Sequence, residues 1–304
     1  MTAPRTSSRA SYSTAGFKDL PIEAGLDAIA AAGFRCIELS GCGSTIESWA
    51  CPGPKDAPPA PKGRAAEAFA RAAAQRGLNV TTIHAPMQRN CLGAPDETWR
   101  RQKVEVLGQY MHFAGQIGAA GVVVHGVPNA IFLPKSADLP VLVSLMPDAM
   151  KRSLDELAPV AADAGVRILL ENLPYVNDVP PRPYPLVNMS QLRPFVADYD
   201  PDQVGLIVDT GHAWTNGQEP VDEIQTAGDR LWGTHIQDVP REDPSDNHWA
   251  PTQGGLDWQA IRHALQSINY CGAWTFEVIQ GPEDQTPEQL ARISRAVATQ
   301  WGLE

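Results

Sequence analysis

Short apolar, β-branched runs alternate with Ala- and Leu-rich amphipathic stretches along almost the whole chain. The clearest run is Val204–Asp209, Val-Gly-Leu-Ile-Val-Asp, followed at once by Thr-Gly-His-Ala-Trp. Continuous hydrophobics that stop at a polar group are the pattern of a strand buried on both faces. The same reading predicts strands at Ala10–Ser13, Cys36–Leu39, Val80–His84, Gly121–Val124, Arg167–Leu170, Leu231–Ile236 and Ala273–Phe276. Between them lie helical segments at Pro21–Ala32, Arg64–Arg76, Asp96–Ile117, Val141–Ala164, a short one from Ser190, Pro220–Ala227, Trp258–Ser267 and Thr286–Trp301. Gly33 and Gly77 stop the first two, and Asp96 and Glu97 open the third. Pro147 and Pro159 predict a break or kink in the fourth.

Eight strand–helix units in 304 residues match the count and length of a (β/α)8 TIM barrel, with a doubly wound sheet as the alternative. No composition break divides the units, so one barrel domain over residues 1–304 is expected, with 1–9 as a flexible N-terminal tail. Two long loops stand out. Ser40–Lys62 is rich in Gly and Pro and carries Cys42, Trp49 and Cys51, the cysteines reading as incidental thiols. Asn172–Asn188 is Pro-rich and too long for a mere connector, so it reads as a lid.

Composition narrows the picture. The chain is 43% hydrophobic, enough for a sizeable core, and its net charge of −11 argues against a phosphate-backbone binder. No run approaches the roughly 18 apolar residues of a membrane span. Met1–Ser13 has no apolar h-region, so no secretory leader is expected. Five scattered cysteines suit a reducing cytoplasm. The expected partners are therefore small molecules, with neither nucleic acid nor membrane; an assembly of identical chains is compatible with the sequence.

The candidate chemistry lies at the strand ends. In sequence order these supply His84, His125, Glu171, Asp209 with His212 just after it, His235 and Glu277, and a polar loop adds Asp246 and His248. Five of the seven histidines fall at this one level of the fold, where a barrel of parallel strands places its chemistry. Taken singly, each has a plain structural role: Asp209 could cap the following turn, His235 could be a satisfied core histidine, and Asp246 and His248 could be solvated loop residues. Together, imidazole and carboxylate suit a divalent metal. Glu171, Asp209, His235 and Glu277 would supply four ligands. Glu171 and Glu277 could flank a chelated substrate as a pair of bases.

These residues carry a family pattern. Glu171-Asn172, the Asp209-Thr-Gly-His212 box, Thr234-His235-Ile-Gln-Asp238, Gly254-Gly-Leu-Asp257-Trp258 and Phe276-Glu277 resemble the sugar phosphate isomerase/epimerase family of the xylose-isomerase-like superfamily. The resemblance runs from Ala10 to about Trp301. It implies one divalent ion (Mn, Co, Zn or Mg) on Glu171, Asp209, His235 and Glu277, with the two glutamates as acid and base. His212 would contact substrate hydroxyls. The other rim residues, His84, His125, Asp246, His248 and Trp214, would face a carbohydrate substrate, Trp214 and Trp249 by stacking on it. The superfamily also holds endonuclease IV, a three-zinc repair enzyme, and the same histidines and acids match its ligand set. Leu173-Pro174-Tyr175 departs from that enzyme's small segment after Glu-Asn. Gln237 stands where epimerases often carry lysine, and Thr252 where a glycine is usual. Arg89, Lys135, Arg182 and Arg241 lie in rim-side loops where they could compensate for the missing lysine. The expected activity is isomerisation or epimerisation of a sugar or polyol-derived ketone through an enediolate. The alternatives are a lyase or dehydratase on the same enediolate, a multizinc phosphoesterase, and a non-catalytic sugar-binding barrel.

Overall fold

A computed structural model describes residues 9–40, 64–86, 91–129, 133, 138–174, 184–243 and 245–304. Cys42, Trp49, Cys51, Arg89, Lys135, Arg182, the tail before residue 9 and the middle of the 172–188 loop lie outside the described residues. Eight parallel strands close into a barrel in sequence order, β1 pairing with both β2 and β8. They are β1 (Ala10–Ser13), β2 (Cys36–Ser40), β3 (Asn79–His84), β4 (Gly121–His125), β5 (Arg167–Glu171), β6 (Val204–Asp209), β7 (Leu231–Ile236) and β8 (Ala273–Phe276). The doubly wound alternative is thereby excluded.

The helices are α1 (Ile22–Ala32), α2 (Arg64–Gln75), α3 (Glu97–Gln116), α4 (Leu139–Ala164), α5 (Met189–Val196), α6 (Thr210–Thr215), α7 (Pro220–Ala227), α8 (Trp258–Ser267) and α9 (Pro287–Gln300). Their ends follow local chemistry. Asp96 accepts the Trp99 N–H at 2.8 Å to start α3, and Thr286 and Gln289 form a reciprocal capping box on α9. Gly33 and Gly165 end α1 and α4 in the left-handed region at φ 99° and 69°.

One expectation needs correction: α4 has no break at Pro147 or Pro159. Each proline costs about 3 kcal/mol in a helix interior. Against this, α4 buries Met146, Met150, Leu154, Leu157 and Ala161 against the core, each large side chain contributing about 1.5–3 kcal/mol. Its end packs closely on α3: a Cβ at Gly115 would stand 2.3 Å from the Ala164 carbonyl oxygen. His212 lies in the first turn of α6.

Two apolar layers support the rim. The larger lies between strands and helices and includes Val122, Ile168, Leu206 and Ile236. The smaller, Val123, Leu169 and Ile207 with Trp232 against them, lies on the opposite strand face, inside the barrel. Side chains alternate along a strand, so a residue two positions further on shares its face. Val123, Leu169 and Ile207 are each two residues before His125, Glu171 and Asp209. An apolar floor therefore lies directly beneath a polar rim.

Candidate metal centre

The rim gathers every strand-end residue singled out above. Glu171, Asp209 and His235 are fully buried; His84, His212 and Glu277 are nearly so. One donor atom from each of Glu171, Asp209, His235 and Glu277 lies within 4.8 Å of the others. His235 Nδ1 is 2.7 Å from Glu171 Oε1, 3.2 Å from Glu277 Oε2 and 4.0 Å from Asp209 Oδ2. Three further groups meet the same distance criterion: His84, His125 and Glu171; His84, His235 and Glu277; and His212, Asp246 and His248. Glu171 Oε2 joins the first of these, 3.2 Å from His84 Nε2 and 3.3 Å from His125 Nε2.

The sequence at β6 explains why its acid and histidine point inward together. Asp209 caps α6 with its own carboxylate: Oδ1 accepts the His212 N–H at 2.7 Å. Asn172 clamps β5 to β6, donating to the Asp209 carbonyl at 2.9 Å and accepting the Asp209 N–H at 2.7 Å. The capping role that Asp209 could have had alone is thus present beside its place in the cluster.

The histidine tautomers are set from behind. His84 Nδ1 donates to the Ala85 carbonyl at 2.8 Å, His212 Nδ1 to the Asn172 carbonyl at 2.8 Å and His248 Nδ1 to the Glu277 carbonyl at 3.1 Å. In each case Nε2 faces a carboxylate: Glu171 for His84, Asp246 for the other two. His125 Nε2 is buried 3.3 Å from Glu171 Oε2, with no hydrogen bond of good geometry. Nδ1–H groups anchored from behind, with Nε2 turned toward carboxylates, orient imidazoles as a divalent cation needs of its ligands. The donor set therefore fits a metal.

Electrostatics agree. Among the described residues, the ion pairs of Glu38, Glu171, Asp209, Asp246 and Glu277 are all with histidines. Burial opposes charge on Glu171, but His235, His125 and His84 hold its carboxyl well below the usual range. Burial raises Asp209 to about 6, with Glu171 adding to the effect. Burial disfavours the charged imidazoles too, yet hydrogen bonding and charge from Glu171 lift His84 to about 9, and Asp246 lifts His248 to about 10. Burial lowers His125 by more than Glu171 restores.

Several contributors were missed or under-read in the sequence. Glu38 on β2 is fully buried; its Oε1 accepts from His235 Nε2 at 3.0 Å and its Oε2 from Thr82 Oγ1 at 2.7 Å. An acid inside the apolar run Cys-Ile-Glu-Leu-Ser was the available signal. Asp238 organises the 239–257 loop: its carboxylate accepts the N–H groups of Val239, Thr252 and Leu256 and the Trp258 indole N–H. A Cβ at Gly254 would meet Asp238 Oδ1 at 2.4 Å, which accounts for that glycine. Trp214 packs partly against the core, with the Arg241 guanidinium 5.1 Å from its ring centroid. No contact ties Trp214 to the rim cluster among the described residues. The ends of the 172–188 loop are anchored, the Leu173 N–H donating to the Val187 carbonyl at 3.0 Å and Tyr184 Oη to the Pro128 carbonyl at 2.6 Å.

With this geometry in view, the family match is direct. A family model described as xylose isomerase-like TIM barrel matches residues 26–297. The chain belongs to this family. Of its relatives, an uncharacterised protein of Sinorhizobium fredii is 29% identical over 182 residues, 59% of this chain and 54% of its own length. A D-psicose 3-epimerase of Enterocloster bolteae is 31% identical over 132 residues, 43% of this chain and 40% of its own. The chain thus spans between 36% and 63% of the length of the curated relatives it matches. Among solved structures, a D-tagatose 3-epimerase-like protein superposes with a TM-score of 0.75 over 96% of both chains at 19% identity, which speaks to the family's fold. No helix among the described residues is long and apolar enough to cross a membrane.

Proposed function

We propose that the protein is a divalent-metal-dependent isomerase or epimerase of a sugar or polyol-derived ketone. The observation that carries this reading is the convergence of Glu171, Asp209, His235 and Glu277 within 4.8 Å at the carboxyl-terminal rim, with two glutamates on one imidazole nitrogen. Those four residues would hold one ion of Mn, Co, Zn or Mg. When bound, it would polarise the substrate carbonyl and so acidify the adjacent C–H.

The chain's own groups do the rest. One glutamate takes the proton from the carbon next to the carbonyl, leaving an enediolate; the other returns a proton, to the opposite face for epimerisation or the neighbouring carbon for isomerisation. The floor of Val123, Leu169 and Ile207 keeps water from reaching the site from below. His212, whose Nδ1 is held by the Asn172 carbonyl, presents Nε2 to the rim for substrate hydroxyls. The relationship to a D-psicose 3-epimerase supports a carbohydrate substrate. Loss of a β-hydroxyl from the same enediolate would make the enzyme a dehydratase.

Glu171→Gln and Glu277→Gln test the two-base reading. Each should abolish turnover and solvent deuterium incorporation into ketose or inosose substrates while the melting temperature stays near wild type. Near-normal activity in both variants overturns it.

A second reading is a multinuclear centre acting on phosphoesters. The fixed tautomers of His84, His212 and His248, and the His84, His125 and Glu171 group beside the four-residue one, favour more than one cation. Metal analysis of protein purified without chelator separates the readings. About one equivalent per chain favours the isomerase; two or three of zinc favour the phosphoesterase, with abasic DNA as the first substrate to try.

A further inference from the structure

Gln237 departs from the family pattern, and the structure places its carboxamide between two of the clusters, the one that holds Asp209 and the one that holds Asp246. It is fully buried at the end of β7. Nε2 donates to Asp209 Oδ1 at 3.0 Å, lies 3.2 Å from Asp209 Oδ2, and donates to Asp246 Oδ1 at 2.9 Å. Oε1 accepts the His248 N–H at 2.9 Å. The main chain is fixed as well: the Gln237 N–H donates to Thr210 Oγ1 at 3.1 Å, and Thr210 Oγ1 donates to the Gln237 carbonyl at 2.7 Å. Opposite it, Gly211 leaves the room this needs, since a Cβ there would stand 2.4 Å from both Gln237 Cδ and Oε1.

We propose that Gln237 is a positioning residue: its amide orients the carboxylates of Asp209 and Asp246 toward a cation and couples the two clusters into one unit. The inference rests on the metal-dependent reading above. Asp209 Oδ1 accepts from the His212 N–H and the Gln237 amide, which also reaches Oδ2 at 3.2 Å on the side of His235. Asp246 Oδ1 accepts from Gln237 and, like Oδ2, lies 3.2 Å from His248 Nε2, while Oδ2 also lies 3.4 Å from His212 Nε2. Only a group with two N–H donors and an acceptor satisfies two carboxylates and a backbone N–H together. A lysine would bring a charge and no acceptor. A glutamate would set a third carboxylate against two others. The neutral amide orients both acids and leaves their charge for the cation.

The test is Mn²⁺ titration calorimetry on the full chain stripped of metal, comparing wild type with Gln237→Met, Gln237→Glu and Gly211→Ala. Gln237→Met keeps the volume and removes every side-chain hydrogen bond. It should weaken Mn²⁺ binding by about 10- to 100-fold, the usual effect of removing a ligand's partner. Gln237→Glu should weaken it at least as much. Asp246→Asn should weaken Mn²⁺ binding in the wild-type background and have much less further effect in Gln237→Met, because coupled residues are non-additive. If Gly211→Ala does not fold, the Gln237 variants carry the test alone. A Gln237→Met protein with a lower melting temperature but wild-type Mn²⁺ affinity overturns the proposal and leaves only a packing role. Wild-type protein that binds no Mn²⁺, Co²⁺ or Zn²⁺ overturns the metal-dependent reading itself, and this inference with it.

Discussion

Glu38 and His235 are joined by a buried contact of 3.0 Å between a carboxylate oxygen and Nε2, on the side of the imidazole away from Glu171 and Glu277. The contact commits Nε2 as the proton-bearing nitrogen and leaves Nδ1 to face the acids. A carboxylate behind a ligating imidazole fixes its orientation and raises its basicity. Glu38→Gln should therefore lower metal affinity about 10- to 100-fold without unfolding the chain. Titration calorimetry with Mn²⁺ or Co²⁺ measures this, and an unchanged dissociation constant contradicts the role.

Metal binding should release protons. Burial disfavours a charged imidazole, yet Glu277, Glu38 and Glu171 hold His235 well above its ordinary range, so the metal-free protein carries that proton at pH 7. A metal ligand must give it up. Apparent affinity should rise about tenfold per pH unit for each proton displaced, from pH 6 to 8. Calorimetry at pH 7 in buffers of different ionisation enthalpy should report about one proton released per ion bound at this site. Affinity that is flat with pH contradicts the assignment.

Glu223, on α7 and away from the rim, offers a stability test. Burial raises its carboxyl to about 7, although the Met189 N–H donates to Oε2 at 2.8 Å. A carboxyl raised on folding stabilises the protein while protonated, and that stability fades as pH climbs from the unfolded value near 4.5 towards 7. Glu223→Gln should keep the accepted hydrogen bond and remove the charge. Its melting temperature should match wild type near pH 5 and exceed it at pH 8, by the equivalent of about 1–3 kcal/mol. A difference that stays constant with pH contradicts the shift.

Thr252 occupies the left-handed region at φ 73°, held there by donation of its N–H to Asp238 Oδ2 at 2.9 Å. A β-branched residue is strained in this conformation by about 1–2 kcal/mol, and glycine is not. Thr252→Gly should leave the melting temperature unchanged or raise it. A thermal shift assay that shows a clear drop would mean that the threonine side chain contributes packing beyond this strain.

The sequence by itself determined the alternation of eight strands and their helices, and with it the level at which His84, His125, Glu171, Asp209, His235 and Glu277 sit. Both follow from local periodicity: a strand's length and the polar residue that ends it are written in a few consecutive positions. What the tertiary structure alone decided is how those residues face one another. The β2–β3 pairing shifts register between Ile37 and Glu38, setting Glu38 opposite Thr82 and aiming it at His235. The β6–β7 pairing shifts between Leu206 and Ile207, setting Asp209 opposite His235. Such shifts depend on how neighbouring strands twist and pack when the barrel closes, and no single strand encodes them. Gln237 is the same case. Its place between Asp209 and Asp246 needs the Asp238-centred loop to fold back and Gly211 to clear the space, contacts between segments that meet only in the closed barrel. The continuity of α4 through Pro147 and Pro159 was likewise settled by burial against α3, where packing outweighs local propensity.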